Sequence, residues 1–119
     1  MKALFDTNIL IDYLMGRPQA EAELSRYRAR LISVITWMEI LAGARSDEEE
    51  DVLDLFLRDF HVVHVSRPIA REAVAIRTRE KIRLPDAIIW ATAQEESALL
   101  ITRNTKDFPT GEPGIRVPY

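Results

Sequence analysis

Apolar residues fall into short runs separated by longer stretches of helical spacing. Lys2 to Phe5 form a run that stops at Asp6-Thr7-Asn8, after which Ile9, Leu10, Tyr13 and Leu14 recur at the spacing of one helix face. This predicts strand, turn, helix. A second helical stretch, Ala20 to Arg30, leads into Leu31-Ile32-Ser33-Val34-Ile35, a β-branched run that predicts a buried strand. Thr36 is then expected to cap a helix carrying Trp37, Ile40 and Leu41, with Glu39 completing a capping box and Gly43 near the end.

Asp47 to Phe60 opens on a dense acidic run and continues with Val52, Leu55, Phe56 and Phe60 on one face, which predicts an amphipathic helix with its charges at the favourable end. His61 to Val65 predicts a strand, Pro68 to Lys81 a long helix, and Pro85-Asp86 the opening of a helix through Glu96. Leu99 to Thr102 and Ile115 to Val117 are the last strands, with Gly111 and Pro113 in the loop between them. Strands alternating with helices predict an α/β fold of three α/β/α layers, with a mostly parallel sheet of about four to five strands covered on both faces. At 119 residues the chain is expected to form a single domain, residues 1–119.

Composition narrows the chemistry. With no cysteine there are no disulfides, thiolate zinc sites or cysteine nucleophiles, which fits a reducing compartment. The apolar start is interrupted by Asp6 and Asp12 and no cleavage-site pattern follows, so neither a signal peptide nor a membrane span is expected, and the cytoplasm is the expected location. A net charge of -3 argues against bulk electrostatic capture of nucleic acid but leaves room for local basic patches beside an acidic site.

In parallel α/β sheets ligands bind beyond the carboxyl ends of the strands. Asp6 ends the first strand, Glu39 lies beyond the second, Asp86 opens the helix before a later strand, and Asn104 and Asp107 follow Ile101-Thr102. Singly, Asp6 reads equally well as a helix cap, Glu39 as part of a capping box and Asp86 as a first-turn carboxylate. Converging on one sheet edge they would repel and raise one another's pKa unless a cation lay among them. Hard oxygen donors select magnesium or manganese, and the chemistry that uses such a cluster is phosphodiester cleavage.

Four stretches, Leu4 to Asp12, Ile35 to Gly43, Pro85 to Ala93 and Leu100 to Phe108, together resemble the PIN-domain ribonucleases, and within them the VapC-type toxins of type II toxin-antitoxin pairs. The resemblance spans nearly the whole chain. It implies a metal-dependent endoribonuclease with Asp6, Glu39 and Asp86 in the acidic site and Thr7 in support. Asp6 and Asp86 would lie nearest a Mg2+ or Mn2+ ion, with Glu39 working through water or a second ion. The family's fourth acidic position falls on Asn104, with Asp107 as an alternative. The resemblance also implies products with a 5′ phosphate and a 3′ hydroxyl, transfer or ribosomal RNA as substrate, a homodimer, and a cognate antitoxin whose arginine blocks the site. Operator DNA would be bound by the antitoxin and not by this chain.

Between Arg67 and Arg83 six basic residues face two acidic ones, a local excess of +4. Arg79, Lys81 and Arg83, just ahead of Asp86, and Arg103 beside Asn104 are therefore candidate RNA contacts, against the alternative of a solvated helix face. His61 and His64, three apart on a strand, would point to opposite faces and form no common site. Trp37 and Trp90 are expected in packing or a dimer contact, since the exposed aromatic array of a single-strand binder is missing. Two other classes compete. An aspartyl-phosphate phosphatase would carry a second Asp two residues after Asp6, where this chain has Asn8. A catalytically silent binding module of the same fold gains weight from Asn104.

Overall fold

The computed structural model describes all residues, Met1–Tyr119. Eleven elements follow one another: β1 Lys2–Phe5, α1 Thr7–Leu14, α2 Pro18–Ser25, β2 Ala29–Ser33, α3 Val34–Ala42, α4 Asp47–Leu57, β3 His61–Val63, α5 Arg67–Glu80, α6 Leu84–Glu95, β4 Leu99–Ile101 and β5 Ile115–Arg116. The strands form one sheet in the order β3-β2-β1-β4-β5, and every pairing is parallel. A parallel sheet needs both faces covered, because each crossover deposits a helix on one of them. The result is the expected three-layer α/β/α fold, with five strands and six helices.

Alternation along the strands divides the core. Leu4, Leu31, Val63 and Leu100 pack with α5 and α6, whereas Ala3, Phe5, Ile32 and Ile101 face α1, α2, α3 and α4. Trp90 belongs to the first side, edge-on to Phe108 at 5.8 Å between ring centres. Trp37 packs half-buried against the second. No helix is long and apolar enough to cross a membrane.

The largest departure from the sequence reading is at α3. Val34 and Ile35 look like strand residues, but the strand stops at Ser33, whose hydroxyl accepts a hydrogen bond from the Ile35 N–H and caps the helix. Thr36 is therefore not the cap; it lies fully buried inside the first turn. Glu39 moves to mid-helix and is released from any capping box. Similarly, Pro18 starts α2 ahead of the expected Ala20, since its fixed φ suits a first helical turn, and the helix ends at Ser25. Strand β3 ends at Val63, so His64 lies beyond it, and both histidines are exposed.

Strand order sets the site. From β1 the chain steps outward to β2 and β3 on one side, then returns to place β4 and β5 on the other. The reversal falls between β1 and β4, where the crossovers leave in opposite directions and open a crevice at the carboxyl ends. Asp6 and Thr102 follow those two strands directly, and the Asp6 N–H donates to the Ile101 carbonyl at 2.9 Å.

Candidate active site

Asp6 is 4% exposed, and its carboxylate is held entirely by neutral donors. Oδ1 accepts from the Thr7 N–H at 2.8 Å, capping α1, while Oδ2 accepts from the Thr102 hydroxyl at 2.7 Å and the Asn8 amide at 3.1 Å. Burial pushes the Asp6 carboxyl up to about 6; Asp86 and Glu39 add to the rise, against the lowering by Thr102 and Thr7. The cap and the site are thus one arrangement. The same carboxylate that ends the helix backbone is left short of positive charge.

Asp86 sits in the first turn of α6, behind Pro85, and is buried. It caps nothing; its one side-chain partner is the Arg83 guanidinium at 3.4 Å. Burial raises its pKa, Asp107 and Glu39 raise it further, and Arg83 offsets part of this. Glu39 is exposed at the rim, where the Thr7 hydroxyl donates to its Oε1 at 2.6 Å and lies 2.9 Å from the Thr36 hydroxyl. Thr7 therefore ties the first and third helices together and holds Glu39 toward Asp6.

Asn104 and Asp107 form one unit. The Asn104 amide donates to Asp107 Oδ2 at 2.9 Å, and its Oδ1 accepts from the Asp107 N–H at 3.1 Å. Asn104 also donates through its own N–H to the Thr102 hydroxyl at 2.9 Å, which ties it to Asp6. Of the two carboxylates that raise Asp86, Asp107 acts more strongly than Glu39. The structure thus brings Asp6, Glu39, Asp86 and Asp107 to one crevice, with Asn104 locking Asp107. No three of them converge closely enough to ligate one ion directly.

The basic candidates scatter. Arg79 pairs with its neighbour Glu80 at 3.1 Å, Lys81 ends α5 with φ 58°, and only Arg83 touches a site carboxylate. The Arg103 side chain turns toward α1 and donates to Asp12 Oδ2 at 2.8 Å, while its N–H bonds Asn8 Oδ1 at 3.2 Å. His61 and His64 bond to none of the carboxylates. Two residues with evident roles, Asn8 and Thr102, are absent from the sequence-based set. The available signal was a polar residue within three positions of the end of each of two strands, but it becomes readable only once β1 and β4 are known to be neighbours.

Comparison with known proteins identifies the family and the fold. The family described as PIN domain matches residues 3–110. The chain is 33% identical over 126 residues to Ribonuclease VapC10 of Mycobacterium tuberculosis, covering 97% of this chain and 94% of that one. Ribonuclease VapC1 of Methanocaldococcus jannaschii is 31% identical over 112 residues, covering 90% and 79%. A toxin-antitoxin complex from Klebsiella pneumoniae superposes with a TM-score of 0.92 at 48% identity, over 99% of this chain and 98% of that one. The fold is shared at 24% identity and a TM-score of 0.82, over 98% and 96%, with DNA-bound VapBC from Salmonella typhimurium. The expectation that operator DNA belongs to the antitoxin alone is not borne out by such DNA-bound assemblies. On the match to the family, the identity to two VapC ribonucleases and the crevice at the strand reversal, the chain belongs to the PIN-domain family, among its VapC-type ribonuclease toxins.

Proposed function

We propose that this chain is an endoribonuclease that hydrolyses RNA phosphodiester bonds at the acidic crevice with Mg2+ or Mn2+, and that a cognate antitoxin inhibits it. The observation that carries the reading is the Asp6 carboxyl, buried among neutral donors and pushed up to about 6 by burial and by its carboxylate neighbours. Such a cluster stores repulsion that a cation relieves. The donors are all hard oxygens, which fits magnesium or manganese and not zinc. Asp6 and Asp86 would hold the ion, with water completing its shell, as is usual for magnesium. When bound, the ion supplies a water of lowered pKa and neutralises charge on the phosphate.

The chain's own residues do the rest. Thr102 and Asn8 orient Asp6 through hydrogen bonds to a single oxygen. Glu39, held by Thr7, acts at the rim on water or a second ion. Asp107, locked by Asn104, supplies the fourth negative charge, so the neutral residue at the family's fourth acidic position does not imply a silent fold. Arg83, which touches Asp86, meets RNA phosphates together with Arg79, Lys81 and Arg103. Products carry a 5′ phosphate and a 3′ hydroxyl, and transfer or ribosomal RNA is the substrate class.

A groove supports the antitoxin reading. Ile11 and Leu14 of α1, with Met15 just after it, line a cavity of about 360 Å³ together with Ile40 of α3, Leu53 of α4 and Glu39. An apolar antitoxin segment seated there would bring an arginine to the carboxylates, which its planar fork matches. A second copy of the chain completes the expected assembly.

The deciding experiment incubates antitoxin-free protein with a mixed RNA pool in magnesium, manganese or EDTA, beside Asp6→Asn. Metal-dependent cleavage by the wild type alone is the expected result. Equal cleavage by both proteins, or none from either in any metal, would sink the reading.

A further inference from the structure

On the α1 side of the crevice a second charged cluster is built around one oxygen. The Arg103 guanidinium and the Tyr119 hydroxyl each donate to Asp12 Oδ2 at 2.8 Å, and Arg17 Nη1 lies 3.7 Å from the same atom. The Tyr119 ring carries both cations, with Arg17 Cζ 4.8 Å and Arg103 Cζ 5.3 Å from its centre. Arg17 reaches this point because Gly16, at φ 84°, reverses the chain after α1, so that the Arg17 N–H donates to the Asp12 carbonyl at 2.9 Å. A left-handed turn of this kind favours glycine.

The charge here does not balance. Asp12 Oδ2 accepts from Arg103 and Tyr119, whereas the Arg17 side chain makes no hydrogen bond at all, and two guanidiniums share a single carboxylate. Each guanidinium carries five N–H donors in a rigid fork, and the only side-chain hydrogen bond the two make is the one from Arg103 to Asp12. Arg17 is 39% exposed and Arg103 34%, open enough for an anion yet held in place by ring and carboxylate. Backbone links the cluster to the catalytic centre: Arg103 follows Thr102, which holds Asp6, and the Arg103 N–H bonds Asn8, which holds the same carboxylate.

We propose that Arg17 and Arg103, bracketed by Tyr119 and Asp12, form a phosphate subsite for an RNA backbone phosphate flanking the one that is cut. This rests on the ribonuclease reading above. Arg83 flanks the acidic crevice from the opposite helical layer, since α1 and α6 cover opposite faces of the sheet. A polyanion crossing a negatively charged cleft needs positive charge on both sides, and the Arg17–Arg103 pair supplies the second side. The preformed stack lowers the entropy lost when the guanidiniums bind.

The test measures binding of a fluorescein-labelled mixed-sequence RNA oligonucleotide to the Asp6→Asn chain by anisotropy across a salt series. Arg17→Gln is expected to weaken binding about fivefold and to flatten the slope of log affinity against log salt by about 0.7, the value for one single-strand phosphate contact. Tyr119→Leu removes no charge, so a comparable loss from it separates a built subsite from diffuse attraction, with Arg17→Lys falling between. In the cleaving protein Arg17→Gln should raise KM by a similar factor and change kcat less than about twofold. Unchanged affinity and slope for Arg17→Gln, whose exposed side chain leaves folding intact, would overturn the subsite. Absence of metal-dependent cleavage by the wild type would instead count against the ribonuclease reading, and the binding series would still decide the subsite.

Discussion

Asp6 and Glu23 are each 4% exposed, yet their carboxyls are displaced in opposite directions, with Asp6 lying deeper in the protein than Glu23. Burial pushes both up. At Glu23 it is overcome by the Arg116 fork, whose Nε and Nη2 donate at 2.7 and 3.0 Å, by the Arg116 charge, by the Tyr27 hydroxyl at 3.2 Å and by Arg26. At Asp6 the donors are a backbone N–H, an amide and a hydroxyl, none of them charged, and two of its neighbours are carboxylates. The difference separates a carboxylate that is neutralised within the fold from one that is not. Glu23 has its cation built in, tying α2 to β5, whereas Asp6 is given every interaction except the one that would neutralise it.

Removing each charge should therefore give opposite phenotypes. Asp6→Asn is expected to lower RNA cleavage by at least about a hundredfold, since on the proposed reading the carboxylate that would hold the ion is lost, and with it the water that the ion would activate. It should also stabilise the metal-free protein near neutral pH. Relieving a carboxyl shifted from 3.8 to about 6 is worth on the order of 3 kcal/mol, less about 1 for the amide that then opposes Asn8. Urea unfolding in EDTA reads the stability, and a destabilised Asp6→Asn protein would contradict the contrast. Arg116→Met should cost about 3 kcal/mol by stranding the Glu23 charge, at the low end for a buried pair because Arg116 is partly open to water. Cleavage per folded molecule should stay within about twofold of wild type for this variant, since Arg116 bonds to none of the site carboxylates.

Supplying the missing cation is the next largest effect. Magnesium at about a hundred times its dissociation constant should raise wild-type stability by about 2.7 kcal/mol and Asp6→Asn by far less. Thermal melts with and without the ion check this. A wild-type melting temperature indifferent to magnesium and manganese would remove the argument that Asp6 awaits a metal.

Much of this contrast was hidden in the sequence, for reasons that are physical. Asp6, Glu39 and Asp86 could be read because each lies close after a strand or at a helix start, so local order already places them near the carboxyl edge. The Glu23–Arg116 pair is 93 residues apart in sequence and joins two elements whose adjacency depends on where β5 inserts. Asn8 and Thr102 were equally unreadable until the crossover set β4 beside β1. The α3 boundary was misplaced because Val34 and Ile35 carry strand propensity, and a single serine hydroxyl outweighed it. Asp107 was legible as a candidate but its place beside Asp86 was not, since its direction depends on the two hydrogen bonds it exchanges with Asn104.

The two carboxylates also predict opposite pH dependence. Glu23 has a folded pKa below the ordinary 4.5, so the unfolded chain binds its proton more readily. The stability it contributes is present above about pH 4.5 and is lost as the pH falls through the lowered folded value. Asp6 in the metal-free protein binds its proton more tightly when folded, so its contribution is full below about pH 3.8 and is lost as the pH rises through about 6. The stability gap between wild type and Arg116→Met should thus close in acid, while the gap between wild type and Asp6→Asn should open between about pH 4 and 7. Denaturation curves at a series of pH values in EDTA measure both gaps. A wild type more stable than both variants, or less stable than both, near neutral pH would show that the carboxylates do not differ in the way their partners imply.

The smallest expected effect tests the neutral donors around Asp6. Thr102→Val keeps the shape of a buried side chain but removes the hydroxyl that donates to Asp6 Oδ2 and accepts from the Asn104 N–H. Each lost bond is worth about 1 kcal/mol, and the Asn104 N–H, half-buried, recovers part of its loss through water. The Asp6 carboxyl should rise further without its strongest lowering contact. Cleavage should fall about tenfold near pH 6 and less at pH 8, where the carboxylate is ionised in either protein. A Thr102→Ser change, which restores the hydroxyl without the methyl group, should recover most of the activity. If valine and serine behave alike, the methyl packing and not the hydrogen bond holds Asp6, and the site depends on shape more than on the donor network described above.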